Sequence, residues 1–298
     1  MKKSLLTAAA LALLATGAAQ ADTLAKIKEA GAATMGVRES SGALSYTLGD
    51  GKYAGFHVDV CTRVLTDVQK NLGLAKMDIK YQPVTSGNRI PLVQNGTVDI
   101  ECGSTTNNAT RQKDVAFAMT TFVEEVRIAV KANSGITGIA QLAGKNIATT
   151  TGTTSVQHLR RHERANGVDF KEVFGKDHAD SFLLLETGRA DAFVMDGQIL
   201  AGNIARSKAP ADFRIVGEVL SVEPIAIMMR KDDPAFKKAV DESIVAMIKS
   251  GDMAKAYDKW FVQPIPPSNT RVGLPASEAT KAAWASPNDK PVEDYVKK

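Results

Sequence analysis

An excess of one charge, a second long apolar run and a rich supply of cysteine are all missing from this chain of 298 residues. Its 37 Lys and Arg nearly balance 33 Asp and Glu, and setting aside Lys2 and Lys3 leaves 35 against 33. With no clustered basic face, that balance argues against nucleic acid as a partner. Beyond the N-terminus no segment is long and apolar enough to cross a bilayer. No Gly-x-Ser-x-Gly stretch occurs, and neither Cys61 nor Cys102 lies in an evident Cys–His pair, so two common nucleophile arrangements are absent. His158 and His162 stand four apart, but no acidic base lies between them and no third ligand is in sight, which reads as a solvated helix face and no metal site. The stretch GITGIAQLAGKN has the wrong glycine spacing for a phosphate loop, and Asn146 stands where Ser or Thr would meet magnesium. No cofactor is expected.

What is present begins with MKKSLLTAAALALLATGAAQADT. Lys2 and Lys3, the apolar run Leu5–Ala15 and the small residues Ala19-Gln20-Ala21 form a secretory signal peptide over 1–21, cleaved after Ala21. The mature chain is then exported, and in a cell with two membranes it resides in the periplasm. An even cysteine count in an exported chain favours a Cys61–Cys102 disulfide, with two buried reduced thiols as the alternative. Hydrophobic residues make up 44% of the chain, ordinary for a globular protein.

The apolar pattern switches repeatedly between strand and helix periods. Helices are expected over Leu24–Ala30, Gly55–Leu74 and Arg89–Asn95, with strands at Thr34–Val37, Met77–Gln82 and Val98–Cys102 and a helical turn over Ala109–Val115. A second series follows: strands at Arg127–Lys131, Asn146–Thr150, Phe170–Phe174, Ala192–Met195 and Arg214–Val216, and helices at Ser155–Asn166, Ser181–Thr187 and Gly197–Arg206. A strand at Ala226–Arg230 and a long helix from Asp233-Pro234 complete the pattern. This predicts an α/β protein of two lobes, each a central sheet flanked by helices, with two crossover strands as a hinge near 122–130 and 218–227. The first lobe takes 22–126 and 223–298, including a C-terminal helical extension, and the second takes 127–222.

The chemistry clusters at predicted strand ends, where open α/β sheets bind ligands. In ECGSTTNNATRQKDVAF, Ser104, Thr105 and Thr106 precede Arg111. Small neutral donors with a guanidinium close behind suit a carboxylate, and the helical turn predicted there would add its N-terminal potential. TTGTTS places Thr151, Gly152 and Thr154 ahead of a second helix N-terminus. VTSGNRIPLVQNG adds Ser86 and Arg89, and GVRESS adds Arg38. Three arginines at successive strand ends would overcompensate one carboxylate and suit a ligand with two acidic groups. His178 in KDHADS and Asp196 in VMDG read as helix caps or as ligand contacts.

Taken together, RESSGALSYTLGDGKYAGFHVDV, TSGNRIPLVQNGTVDIECGSTTNNATRQKDVAF, TTGTTS, KDHADSFLLLETGRADAFVMDG and MMRKDDPAFKKAVD with DKWFVQPIPP resemble the bacterial polar amino-acid solute-binding family, in its branch for acidic ligands. The likeness runs in order over roughly 23–267. It implies a two-lobed fold of the type II periplasmic-binding-protein class that captures glutamate or aspartate and feeds an inner-membrane ABC permease, as a monomer. Carried over by position, it implies Arg111, Ser104 and Thr106 as the α-carboxylate clamp, helped by the backbone at Thr154. It implies Asp196 for the α-ammonium, and Arg38, Ser86, Arg89 and His178 around the side-chain carboxylate. Gly42-Ala43-Leu44, Thr151 and Gly197-Gln198 depart from the family pattern and bear on selectivity between the two acids. Two other readings share the fold: a periplasmic dehydratase-like enzyme acting on a dicarboxylate, with His178 or Glu39 as its acid or base, and a sensory protein that presents ligand to a membrane receptor.

Overall fold

The computed structural model describes residues 22–295. The signal-peptide reading falls on 1–21, outside the described residues. No helix among the described residues is long and apolar enough to cross a membrane.

Two five-stranded sheets organise the chain, and the expected α/β class of two sheets flanked by helices is found. The first has the order Asp78–Pro83, Ala32–Val37, Ile100–Glu101, Met228–Arg230, Val115–Phe117; its first three strands are parallel and Met228–Arg230 runs against both neighbours. The second has the order Lys171–Gly175, Asn146–Thr150, Ala192–Asp196, Phe122–Lys131, Phe213–Ile225, again three parallel strands followed by antiparallel pairs. Strand periodicity sorts the second sheet's residues into two cores. Val126, Ile128, Val130, Ala192 and Val194 join one buried cluster, while Ala129, Phe193 and Met195 join the other. Both faces are covered by helices, which explains why these strands read as apolar runs.

The strands Phe122–Lys131 and Phe213–Ile225 pair side by side, with Glu124 opposite Glu223 and Phe122 opposite Ile225. The second of these is far longer than Arg214–Val216. Its register shifts between Val216 and Ser221, and a bulge of this kind hides the alternation that would reveal the whole strand. A small sheet of Ser40–Ser41, Ser45–Gly49 and Lys52–Ala54 precedes the helix Phe56–Asn71.

Cys61 and Cys102 are bonded, with Cα atoms 6.3 Å apart and a sequence separation of 41. The bond ties Phe56–Asn71 to the end of Ile100–Glu101, directly behind Ser104. Closing a loop of that length contributes about 4 kcal/mol in the chain-entropy account. His57 braces the same loop from the same helix: its Nδ1 bonds the Gly103 carbonyl and its Nε2 bonds Thr121 Oγ1 at 2.7 Å.

The C-terminal segment packs on the first sheet's side. Trp284 Nε1 donates to the Thr121 carbonyl at 2.9 Å and Val123 N to Thr280 Oγ1 at 3.1 Å. Asn107 Nδ2 donates to the Asp289 carbonyl at 2.9 Å, and Val292 N to the Asn107 carbonyl at 2.9 Å. The segment therefore braces both a crossover strand and the loop that carries Arg111.

Candidate functional site

Most of the side chains proposed from sequence meet where the two sheets point their strand ends at one another. Arg38 follows Ala32–Val37 and is fully buried. Its Nη2 donates to Ser86 Oγ at 2.9 Å and to Asp177 Oδ1 at 2.6 Å, and lies 3.2 Å from His178 Nε2. Arg89 is the first residue of the helix Arg89–Gln94 and is 2% exposed. Burial first, then the nearby Arg111 and Arg38, push its pKa well below the ordinary value, with Glu101 and Asp196 opposing. Nε and Nη1 of both Arg38 and Arg89 are buried without hydrogen-bond partners among the described residues.

Arg111 lies in the short 3-10 turn Arg111–Lys113, not at the end of a helix that could lend its dipole. Asn108 Oδ1 accepts from the Arg111 backbone N–H at 2.8 Å and holds the turn. The guanidinium donates to the carbonyls of Thr106 at 2.9 Å and Gly152 at 3.2 Å, so it already bridges the two lobes. Ser104 Oγ is 3.1 Å from Ser41 Oγ. The hydroxyl of Thr105 turns away, donating to Glu101 Oε2 at 2.7 Å.

From the second lobe, Thr154 opens the helix Thr154–Asn166. The unpaired N–H groups of a first helical turn favour an anion. Gly152, just before it, has φ +82°, and a Cβ there would come within 2.8 Å of the Ser86 carbonyl oxygen and 2.9 Å of Gly87 backbone atoms. Only glycine fits this contact. Thr151 is exposed at the rim, beside a cavity of about 570 Å³ that Arg111 and Gly152 also line. Thr150 takes the inner position instead, its Oγ1 3.0 Å from His178 Nδ1 and 2.8 Å from Ser181 Oγ.

His178 begins the helix His178–Glu186, capped by Asp177. Burial and Arg38 push its pKa down to about 3. The imidazole is thus neutral, with Nε2 accepting from Arg38 and Nδ1–H directed at Thr150. Asp196 ends Ala192–Asp196 and stands at the N-cap position of Gly197–Arg206, but its side chain makes no capping bond. Its Oδ1 is buried and unpartnered among the described residues. Burial and Glu223 raise its pKa to about 7, with Arg89, Arg111 and Arg38 opposing. Glu124, on the crossover strand, is pushed well up by burial and by Asp196.

Two sequence readings need correction. The arginine count alone overstates the site's positive charge, because buried acids stand among the arginines. Asp177 pairs with Arg38, while Glu101 and Glu223 are both fully buried nearby. Arginine number alone therefore does not set the ligand's charge; the unpartnered N–H groups are the better guide. His158 is not on a solvated face, since its Nε2 lies 2.5 Å from Glu223 Oε1. The missed acids did leave a signal: Glu101 in VDIECG and Glu223 in SVEPIAI interrupt apolar strands, where an acid is costly unless paired. Ser40 was also missed; its hydroxyl donates to Asp177 Oδ2 at 3.0 Å.

The candidates for acid–base work are poorly placed for it. Both ring nitrogens of His178 are engaged, and Glu39 is exposed.

Comparison with known proteins identifies the family. The profile of the bacterial extracellular solute-binding proteins, family 3, matches residues 33–263. The L-glutamate/L-aspartate-binding protein of Pseudomonas aeruginosa is 45% identical over 97% of this chain and 98% of its own length. The glutamate/aspartate import solute-binding protein of Escherichia coli is 43% identical over 93% of this chain and 94% of its own. Among solved structures, a mutant of ArgBP from T. maritima superposes with a TM-score of 0.71 at 26% identity, covering 80% of this chain and 99% of that one. These named relatives are binding proteins. With a family profile spanning most of its length and relatives this similar, the chain belongs to the bacterial extracellular solute-binding proteins, family 3.

Proposed function

We propose that this protein captures an acidic L-amino acid, glutamate or aspartate, between its two lobes and delivers it to an inner-membrane ABC permease. It acts as a monomer in the periplasm after its leader is cut behind Ala21, and it binds without turning its ligand over. The observation that carries the reading is the pair of buried guanidiniums, Arg38 and Arg89, whose Nε and Nη1 lack partners among the described residues. A buried donor left unpaired costs about 1–3 kcal/mol, more when charged, so such groups call for an anion. Arg111, the backbone N–H groups at Thr154 and the carboxylate of Asp196 suit the α-carboxylate and α-ammonium. Ser104 belongs with Arg111 on the α-carboxylate side, while Arg38, Ser86 and Arg89 suit a second acidic group, with His178 holding the Arg38 guanidinium in place. The ligand would stabilise the closed arrangement because only there do both lobes reach it.

Isothermal titration of the mature, ligand-stripped protein with L-glutamate, L-aspartate, L-glutamine and L-arginine tests this. One-to-one binding of the two acids, with glutamine at least about 100-fold weaker, is expected, since each factor of ten is about 1.4 kcal/mol. Equal binding of glutamine, or no heat with either acid, would overturn it.

A further inference from the structure

Three carboxyl side chains share one face of the second sheet. Glu124 and Glu223 stand opposite each other on the paired crossover strands, and Asp196 stands opposite Val126, two residues along from Glu124. Residues i and i+2 of a strand share a face, and a diagonal neighbour on the next strand is within reach of a long side chain. Glu124 and Asp196 are each 3% exposed. The acids differ in how they are satisfied. Glu223 takes bonds from Thr106 Oγ1 at 2.7 Å, Thr154 Oγ1 at 2.8 Å and His158 Nε2 at 2.5 Å. Glu124 Oε1 accepts from Glu125 N at 2.9 Å and from Gln198 N at 3.5 Å. Gln198 is the second residue of Gly197–Arg206. Glu124 thus reaches across the sheet to take a first-turn N–H that Asp196, at the N-cap position, leaves free. Glu124 Oε2 and Asp196 Oδ1 remain, both buried and without a partner among the described residues. Burial, then Asp196, push the Glu124 pKa well up; the bonds from Glu125 and Gln198 oppose, and Glu223 adds to the rise. Tyr257, itself held protonated by burial, is a further titratable neighbour.

We infer that Glu124 is a positioning residue for Asp196: it stays a neutral acid and donates its proton from Oε2 to Asp196 Oδ1. One shared proton gives both orphaned oxygens a partner, which two anions could not do. Arg89, Arg111 and Arg38 act on Asp196 from the first lobe and favour its ionised form, so the proton falls to Glu124. By taking over the helix N–H and holding one oxygen, Glu124 steadies the Asp196 carboxylate. A carboxylate offers about four acceptor sites, so Asp196 keeps lone pairs for an ammonium. The pair then presents one negative charge, the match for one ammonium. With Glu124 also ionised, a second buried charge would stand uncompensated. Both groups lie on one sheet, so opening and closing the cleft does not part them. This deepens the acidic amino-acid reading and rests on it for the ammonium that Asp196 meets.

Carboxyl carbon-13 NMR of the full mature chain, labelled at its glutamate side chains, reads the proton directly. One glutamate should stay protonated at pH 7, with or without unlabelled L-glutamate bound, and Glu124→Gln should remove that signal. Absence of any protonated glutamate side chain at pH 7 in the wild type overturns the inference, whether or not the variant folds. Titration with L-glutamate reads the positioning. A glutamine amide can donate to Asp196 and accept from the two backbone N–H groups, as the neutral acid does. Glu124→Gln should therefore bind within about threefold of wild type. Glu124→Leu loses both functions and should weaken L-glutamate about tenfold or more. Equal losses in the two variants would mean that Glu124 acts as a charge, and no loss in Glu124→Leu would mean that it does not support Asp196; either result overturns the inference. Failure of the wild type to bind either acidic amino acid would sink the proposed function, while the NMR signal would still decide the shared proton.

Discussion

The first lobe brings Arg38, Arg89 and Arg111 to the cleft, whereas the second brings Asp177, Asp196 and the first turns of two helices. The lobes also differ in what holds these groups. Behind the first lobe's anion loop lie a disulfide, the His57 brace and the C-terminal segment. The second lobe's groups sit on the ends of regular strands and helices, and it meets the first through a few side-chain hydrogen bonds and the Arg38–Asp177 ion pair. Asp177 meets Arg38, Gln198 Oε1 accepts from Ala43 N at 3.1 Å, and Gly152 lies against Ser86 and Gly87. Holding unpartnered cations demands a rigid frame, because a soft one would relax to solvate them. Closing over a ligand demands contacts weak enough to open. The asymmetry between the lobes follows from those two needs.

The sharpest way to break the comparison is to remove a cation from the rigid side. Arg111→Ala should abolish measurable titration with every α-amino acid, a loss of at least about 1,000-fold or roughly 4 kcal/mol. The ligand-free protein should unfold within a few degrees of wild type, since a desolvated guanidinium is removed. Retained binding of any α-amino acid within tenfold would contradict the clamp role. On the closing side, Gly152→Ala places a methyl against the Ser86 and Gly87 backbone in the left-handed region. It should cost about 100-fold in affinity, mostly through faster dissociation, with at most roughly 1–2 kcal/mol of stability lost to backbone strain. Surface plasmon resonance with an immobilised ligand analogue separates the two rates, and a purely slower association would argue against a closure defect.

These two residues also show what could be read from the sequence. Arg111 was legible because a hydroxyl-rich loop followed an apolar strand, though its support by a three-residue turn was not. Gly152 was legible as a turn, but the surface it presses against lies across the cleft. The strand and helix alternation gave the fold class because each sheet's apolar period is regular. The small sheet after Arg38 escaped notice because its strands run only two to five residues. The buried acids were missed for a related reason. Arg38 and Asp177 are 139 residues apart, and Thr106 and Glu223 are 117 apart. No local pattern announces a partner at that distance.

Acid sharpens the comparison at a finer scale. His57 in the first lobe is held neutral, its pKa pushed down to about 4 by burial despite the bond to Gly103. Its unfolded value is near 6.5. The unfolded chain therefore takes up a proton that the folded chain refuses, and stability is lost as pH falls from about 6.5 through 4. His178 in the second lobe shifts the same way. Imidazole NMR signals of both residues should stay at their neutral positions down to pH 5. A His57 signal that titrates near pH 6.5 would mean its brace on Gly103 and Thr121 is not maintained in solution.

The smallest expected effect comes from Arg206, which reaches from the second lobe over the Tyr46 ring of the first, 5.5 Å from its centroid. A cation over a ring at a partly exposed position contributes about 0.5–1 kcal/mol. Burial and Arg206 act in opposite senses on the Tyr46 hydroxyl, which nonetheless sits high, at about 12, and donates to the Pro266 carbonyl at 2.7 Å. Tyr46 thus belongs to the rigid side and Arg206 to the moving one. Arg206→Ala should weaken glutamate by about twofold to fivefold and leave the unfolding midpoint nearly unchanged. Tyr46→Ala should lower the midpoint as well, because that ring also packs edge-on against Trp260 at 6.1 Å in the first lobe's core. Equal losses of stability from the two substitutions would mean that this contact is part of the frame, and that the division between a rigid holding lobe and a lightly tethered closing lobe does not extend to the cleft's outer edge.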